Sequence, residues 1–396
     1  MEFVFSDKLA ALKPSAIREI FKSLADPTII SFAAGNPAAE SFPIAALAAL
    51  SADIFEKNAA TALQYGMTEG YPPLREAIAK RQREVFGIGS EGDSTLIVSG
   101  GQQGIELACK ALCNEGDVVL CENPSFIGAL NAFRSCGART VGVDMTADGI
   151  DPDALEQAIK ENPRAKLIYL IPTFQNPTGI TTSEAKRRKI LEIAARYSLP
   201  ILEDNPYGEL RFAGEEIPTL KSLDTDGLVL YCSSFSKILS AGMRVGFVIG
   251  PEALVAKMVV AKQSEDVHTN LFFQMLCHRF VTECDLDAHI RKIRALYRRK
   301  CDLMLGELEK NLPAAVTFTR PEGGLFIWCT LPEGADMNAF VKRAIEKKVA
   351  VVPGTTFNCD TTAPSNSFRL NYSTPTDEQI IEGCRRLGEA AREFLK

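Results

Sequence analysis

Pro200-Ile201-Leu202-Glu203-Asp204-Asn205-Pro206-Tyr207 is an apolar run that stops abruptly at two acids. A strand covered on both faces reads as a near-continuous hydrophobic run, whereas a half-exposed strand alternates. Six other runs share that character: Leu96–Val98, Val118–Cys121, Thr140–Val143, Leu167–Ile171, Leu228–Tyr231 and Val245–Ile249. Between several of them the period becomes helical. Ile105, Ala108, Cys109 and Leu112 fall on one face of one candidate helix, and Ile190, Ile193, Ala194 and Tyr197 on one face of another. Thr181-x-x-Glu184 predicts a capping box at the start of the second. Strand alternating with helix predicts an α/β fold, in which a large domain holds a mostly parallel seven-stranded sheet sandwiched by helices.

Downstream of about Asp285 the pattern changes. A long charged helix is expected over about Leu286–Glu309, then short strands near Leu325–Cys329 and Phe368–Asn371. A last helix should turn Ile380, Cys384, Leu387 and Ala391 inward. This predicts a smaller α+β C-terminal domain. Upstream, Ser15 precedes Ile17, Ile20, Phe21 and Leu24 at helical spacing, Asp26-Pro27 ends that helix, and Gly35-Asn36-Pro37 marks a loop. The expected division is an N-terminal segment 1–45 associated with the small domain, a large domain 46–284 and a small domain 285–396.

The chain has 396 residues, 46% of them hydrophobic and 24% charged, enough apolar material for a sizeable core. A net charge of −6 argues against nucleic acid or an anionic membrane as the main partner, since both need a basic field. The eleven cysteines include no C-x-x-C pair, and the three histidines show no ligand spacing, so no metal is expected. With no secretory pattern at the start and no apolar run of roughly 18 residues, a cytoplasmic protein is expected.

Four short stretches carry chemistry. Ser233-Ser234-Phe235-Ser236-Lys237 follows a buried run and suits a nucleophilic amine aimed into a cleft. Arg244, between Gly242 and Gly246, suits a phosphate approached closely. Asp204 and Tyr207 stand where open α/β sheets bind ligands, at the carboxyl end of a strand. Ser99-Gly100-Gly101-Gln102-Gln103-Gly104 joins a strand to a helix, where free N–H groups make an anion site. It is neither a Walker A loop nor a dinucleotide fingerprint. In Asn176-Pro177-Thr178-Gly179, turn chemistry explains Pro and Gly, and the Asn is either a turn former or a ligand contact. Each stretch taken alone also has a purely structural explanation.

Their order is more specific than any one of them. Gly100-Gly101-Gln102, Asn176-Pro177-Thr178-Gly179, Asp204-x-x-Tyr207, Ser234-x-Ser236-Lys237 and Arg244 together resemble fold-type I enzymes dependent on pyridoxal 5'-phosphate (PLP), specifically aminotransferases of class I/II, from Gly35 to the last helix. The Ser99–Gly104 stretch and Glu122-Asn123-Pro124-Ser125-Phe126 are similar to the branch holding 2-aminoadipate and kynurenine aminotransferases and the effector domains of MocR-type regulators.

The resemblance implies the PLP-dependent transferase-like fold and a set of roles. Lys237 would bind the cofactor covalently and move the proton. Asp204 would pair with the pyridine nitrogen, and Tyr207 and Asn176 would bond the ring oxygen. Phe126 would stack on the ring. Gly101, Gln102, Ser234, Ser236 and Arg244 would hold the phosphate end, and Tyr65 would reach it from the other subunit of a homodimer. Arg369 would clamp the substrate α-carboxylate, beside Gly35 and Asn176. Arg18 is expected to help select acidic or long side chains.

The implied reaction moves an amino group from an L-amino acid, of 2-aminoadipate, aromatic or branched-chain type, to a 2-oxo acid such as 2-oxoglutarate. Alternatives on the same fold are a β-lyase, decarboxylase, racemase or PLP-binding regulator. Only about forty residues precede the large-domain pattern, without a basic recognition helix, which argues against the regulator.

Overall fold

The structure, a computed structural model, describes residues 3–10 and 26–396. The expected helix around Ile17–Leu24, and Arg18 with it, lies outside the described residues. The first strand is β1 (Ile30–Ser31). The large sheet follows with β2 (Asp93–Val98), β3 (Val118–Asn123), β4 (Arg139–Thr146), β5 (Gly149–Ile150), β6 (Ala165–Leu170), β7 (Ile201–Asp204), β8 (Val229–Ser234) and β9 (Gly246–Pro251). Its spatial order is β2-β9-β8-β7-β6-β3-β4-β5.

The seven longer strands coincide with the seven apolar runs, each displaced by a few residues at its ends. The additional β5 is a two-residue strand hairpinned onto β4. Neighbours from β4 through β8 are parallel, and β9 runs antiparallel to both β8 and β2. The reversal follows from the short connection Phe235–Val245, because a parallel return needs a crossover of a dozen or more residues. That connection carries Lys237.

Helices cover both faces. In the helix Gly101–Leu112, Ile105, Ala108 and Cys109 are buried as their spacing requires. The helix expected to begin with a capping box at Thr181 starts instead at Glu184, after Ser183, which makes no side-chain cap. The Thr181 hydroxyl is spent elsewhere. It accepts from Phe174 N at 3.3 Å and closes the loop that carries Asn176. A true capping box occurs at Thr376 and Gln379, opening the last helix, Asp377–Phe394.

The C-terminal part contributes β10 (Thr317–Phe318), β11 (Phe326–Thr330), β12 (Val349–Ala350), β13 (Val352–Pro353) and β14 (Ser367–Asn371). Four of them form an antiparallel sheet in the order β10-β11-β14-β13, and β1 pairs with β12. Phe32 N then donates to Ala350 O and Asn371 N to Phe32 O, which lays the segment before Gly35 beside β14. The long helix runs Leu286–Asn311. In the last helix Ile380, Cys384, Leu387 and Ala391 are fully buried, and burying each of its larger side chains contributes about 2 kcal/mol. No helix among the described residues is long and apolar enough to cross a membrane, and none of their His, Cys, Asp or Glu side chains group as a metal site.

Candidate active site

Asp204 is the last residue of β7 and lies at the carboxyl edge of the sheet. Side chains alternate along a strand, so its neighbour Glu203 serves the other side. There it accepts from Leu220 N at 3.0 Å and Lys221 N at 2.8 Å. Asp204 lines a cavity of about 400 Å³. Its Oδ2 accepts from the Tyr169 hydroxyl of β6 at 2.7 Å. Burial pushes the Asp204 carboxyl up to about 7, against the opposing pull of Tyr169 and of the Lys237 charge.

Lys237 enters the same cavity from the β8–β9 turn. Its Nζ donates to Gly35 O at 2.7 Å and stands 6.0 Å from the centre of the Tyr207 ring. Burial, and then the charges of Arg369 and Arg244, bring the amine down to about 8, with Asp204 opposing. A buried amine held near neutrality is a competent nucleophile and proton carrier.

The opposite end is built for an anion. Gly101 and Gln102 open the helix Gly101–Leu112, whose first N–H groups have no partner within the helix. Arg244, at φ 54°, donates to Ser99 O at 3.2 Å. A Cβ on Gly100 would fall 2.2 Å from its guanidinium, so only glycine there lets the arginine lie against the turn. Gln102 Nε2 donates to Gly128 O at 2.8 Å, drawing the helix start toward Phe126. Ser234 and Ser236 line the same cavity, with Ser234 Oγ accepting from Ser236 N at 3.2 Å. From behind, Gln103 Oε1 accepts from Ser99 N at 2.8 Å and from the buried Lys262 Nζ at 2.7 Å.

Arg369 comes from β14, on the C-terminal sheet, and is only 3% exposed. Nη1 donates to Asn176 Oδ1 at 2.8 Å and Nη2 to Ala33 O at 3.0 Å. Its guanidinium lies 4.3 Å from the centre of the Phe326 ring and 5.0 Å from that of Phe357. Burial lowers it to about 10, well above neutral pH, so it stays charged. Burial raises the Tyr207 hydroxyl, with the Arg369 charge and then the neighbouring Asn176 side chain working against that rise.

Gly35, Phe126, Asn176, Asp204, Tyr207 and Arg369 thus share a cavity with Lys237 and the anion end. Tyr65 does not join them. It is 79% exposed, with its ring edge-on to His268 at 5.7 Å. Arg18 lies outside the described residues. Sequence reasoning missed Tyr169, which was read only as part of an apolar strand, and Phe326, which lines the cavity beneath Arg369. An available signal for Tyr169 was a single hydroxyl inside an otherwise apolar buried run, which must find a partner.

The profile of the family "aminotransferase class I and II" matches residues 27–387. Aromatic-amino-acid aminotransferase 1 of Thermococcus litoralis is 40% identical over 100% of this chain and 95% of its own length. The 2-aminoadipate transaminase of Thermus thermophilus is 40% identical over 99% of this chain and 97% of its own. Among solved structures, a kynurenine aminotransferase of Pyrococcus horikoshii in complex with PMP superposes with a TM-score of 0.95 at 40% identity, covering 99% of this chain and 98% of that one. A match of this extent in sequence and in fold means that the chain belongs to the aminotransferase class I and II family and is a PLP-dependent aminotransferase.

Proposed function

We propose that the chain moves the amino group of an L-amino acid with an aromatic, branched or 2-aminoadipate-type side chain to a 2-oxo acid such as 2-oxoglutarate. One observation carries the reading: an amine, a carboxyl and a guanidinium, those of Lys237, Asp204 and Arg369, converge on one 400 Å³ cavity that has an anion-binding end. The residues present fit the cofactor. The start of the helix Gly101–Leu112, Ser234, Ser236 and Arg244, whose guanidinium Gly100 lets lie against the turn, suit its phosphate. The Asp204 carboxyl suits a protonated pyridine nitrogen, and Phe126 suits the flat face of a ring.

When bound, PLP supplies an aldehyde carbon for the amino group and a ring that accepts electron density from the substrate Cα. Lys237 holds the cofactor and moves the proton that leaves the substrate Cα. Asp204 keeps the ring nitrogen protonated, and Tyr169 keeps Asp204 ionised and aimed. Tyr207 and Asn176 bond the ring oxygen. Arg369 takes the substrate α-carboxylate through its forked donors, already oriented by Asn176 and Ala33 O. Gly35 lies beside it, between the Phe326 ring and the Arg369 guanidinium, and its carbonyl takes the Lys237 amine. The three cations of the described cavity are thereby assigned, and Arg18 is proposed as the selector of acidic or long side chains.

A homodimer is proposed in which Tyr65 of one subunit reaches the phosphate of the other. The exposed apolar Leu63, Tyr65 and Met67, close in sequence, support it. We also propose a cytoplasmic location and a division into an N-terminal segment 1–45, a large domain 46–284 and a small domain 285–396. The test is the visible spectrum of the PLP-loaded protein. The band of the lysine-bound cofactor should bleach with glutamate and return with 2-oxoglutarate, and Lys237→Ala should lack it. A Lys237-dependent band that no amino acid bleaches would overturn the transamination reading.

A further inference from the structure

The helix Leu286–Asn311 sends polar side chains to the backbone of three segments that flank the cavity, and Lys300 to a fourth, donating to Pro375 O at 2.6 Å. His289 Nε2 lies 2.8 Å from Ile238 O, Arg294 Nε donates to Glu209 O at 2.7 Å, and the Tyr297 hydroxyl accepts from Ala38 N at 3.0 Å. Each of these three targets sits just downstream of a residue of the cavity: Ile238 follows Lys237, Glu209 is two beyond Tyr207, and Ala38 is three beyond Gly35. Gly35 is also the residue whose carbonyl takes the Lys237 amine. The helix itself is fixed by Ile290, Ile293, Cys301, Met304 and Leu308, all buried. It cannot slide or turn without dragging all three segments.

We propose that the helix Leu286–Asn311 is a strut that registers the three segments around the cavity, and that His289 is the positioning residue that aims Lys237 through the Ile238 carbonyl. The proposal rests on Lys237 being the lysine that holds the cofactor. A carbonyl oxygen can only accept, so Nε2 of His289 carries the hydrogen. Burial keeps the imidazole below its ordinary value, against the pull of the Ile238 bond, and Nε2 donates to the carbonyl in the neutral and the charged ring alike. The ring is also steadied edge-on against Phe280, with centres 5.4 Å apart. Within the turn, Leu239 N and Ser240 N both bond Phe235 O, at 2.8 and 3.1 Å. The Lys237 turn is therefore tied internally at Phe235 and externally at Ile238, with the lysine between the two ties.

The experiment compares His289→Ala, His289→Leu and His289→Gln with the parent. Leu fills the volume beside Phe280 without a donor, and Gln offers an amide donor of similar reach. Three quantities are read: the rate at which the cofactor-free chain captures PLP, the midpoint of the pH titration of the visible band, and kcat and KM separately. Losing one oriented hydrogen bond predicts that Ala and Leu slow capture and lower kcat by about tenfold. They should shift the titration midpoint by about half a unit or more. KM for the amino acid should stay within about twofold, because Arg369 and Asn176 are untouched. Gln should recover most of the loss. The idea is overturned if Ala and Leu lower only the melting temperature, or if Gln is as impaired as Leu. Should Ala fail to fold, Leu against Gln makes the same comparison. If the parent shows no band that Lys237→Ala removes, the reading of the cofactor lysine has failed, and that is visible before any His289 variant is measured.

Discussion

The Tyr169 hydroxyl donates to Asp204 Oδ2 at 2.7 Å, across neighbouring strands and wholly inside the protein. That bond favours the ionised carboxylate against a burial that already holds Asp204 at about 7. Tyr169→Phe keeps the ring, which packs edge-on against Phe133 with centres 5.3 Å apart, and removes only the hydroxyl. The carboxyl should then rise further, so ionising it beside the cofactor becomes harder. PLP affinity should weaken about ten- to a hundredfold near neutral pH, the equivalent of one hydrogen bond to a charged group. The pH below which affinity is lost should move upward. A dissociation constant measured from pH 6 to 9 checks both, and an unchanged affinity throughout contradicts the role given to Tyr169.

The same burial makes a prediction for the cofactor-free chain. Asp204 titrates near 3.8 when unfolded and near 7 when folded, so between those values the folded chain holds more protons. Stability contributed by the protonated carboxyl is complete below about 4 and disappears as pH rises through about 7. Asp204→Asn removes this dependence and leaves other groups in place, among them Glu122, which burial also raises to about 7. The melting temperature of Asp204→Asn relative to the parent should therefore be higher at pH 8 than at pH 5. An equal difference at both pH values would show that Asp204 titrates normally in the fold. The variant should also lose transamination, because an amide cannot keep a ring nitrogen protonated.

Arg369 is held by Asn176 and Ala33 O and lies against two aromatic rings. Its forked donors fit a carboxylate in a way that a lysine cannot reproduce. Arg369→Ala and Arg369→Lys should both lower kcat/KM for the amino donor, Ala by about a hundredfold, in line with losing one partner of a buried charge pair. The loss should appear chiefly in KM, with PLP affinity close to that of the parent. A Lys variant with near-normal KM would mean that the carboxylate is bound elsewhere.

How much of this was legible beforehand depended on how local the cause was. The seven long strands were readable because a strand buried on both faces has a composition of its own. The antiparallel direction of β9 was not, since an apolar run looks the same in either direction. Glu203 and Asp204 are a pair of acids at a strand end that composition alone does not separate; the Asp204-x-x-Tyr207 spacing singled out Asp204, and it is Asp204 that lines the cavity. Tyr169 depends on strand order, because its partner is 35 residues away in sequence. Phe326 depends on how β11 and β14 of the C-terminal sheet meet the large sheet, for which no local pattern exists. Thr181 failed as a cap because its hydroxyl found a better use in the loop before it.

Tyr65 tests the assembly. Exposed beside Leu63 and Met67, it does not line the cavity of its own chain. If it completes the phosphate end in a partner, Tyr65→Ala alone should weaken PLP binding by about tenfold, the value of one hydrogen bond to a charged oxygen. Hybrids then decide the direction. A dimer of one Tyr65→Ala chain with one Lys237→Ala chain contains a single site that combines an intact lysine with an intact tyrosine from the other subunit. Mixing the two inactive or weakened variants under exchange conditions should therefore restore one parent-like site per dimer, seen as half the parent's band at parent affinity. If Tyr65 acted within its own chain, every site in the hybrid would lack one of the two groups, and mixing would restore nothing.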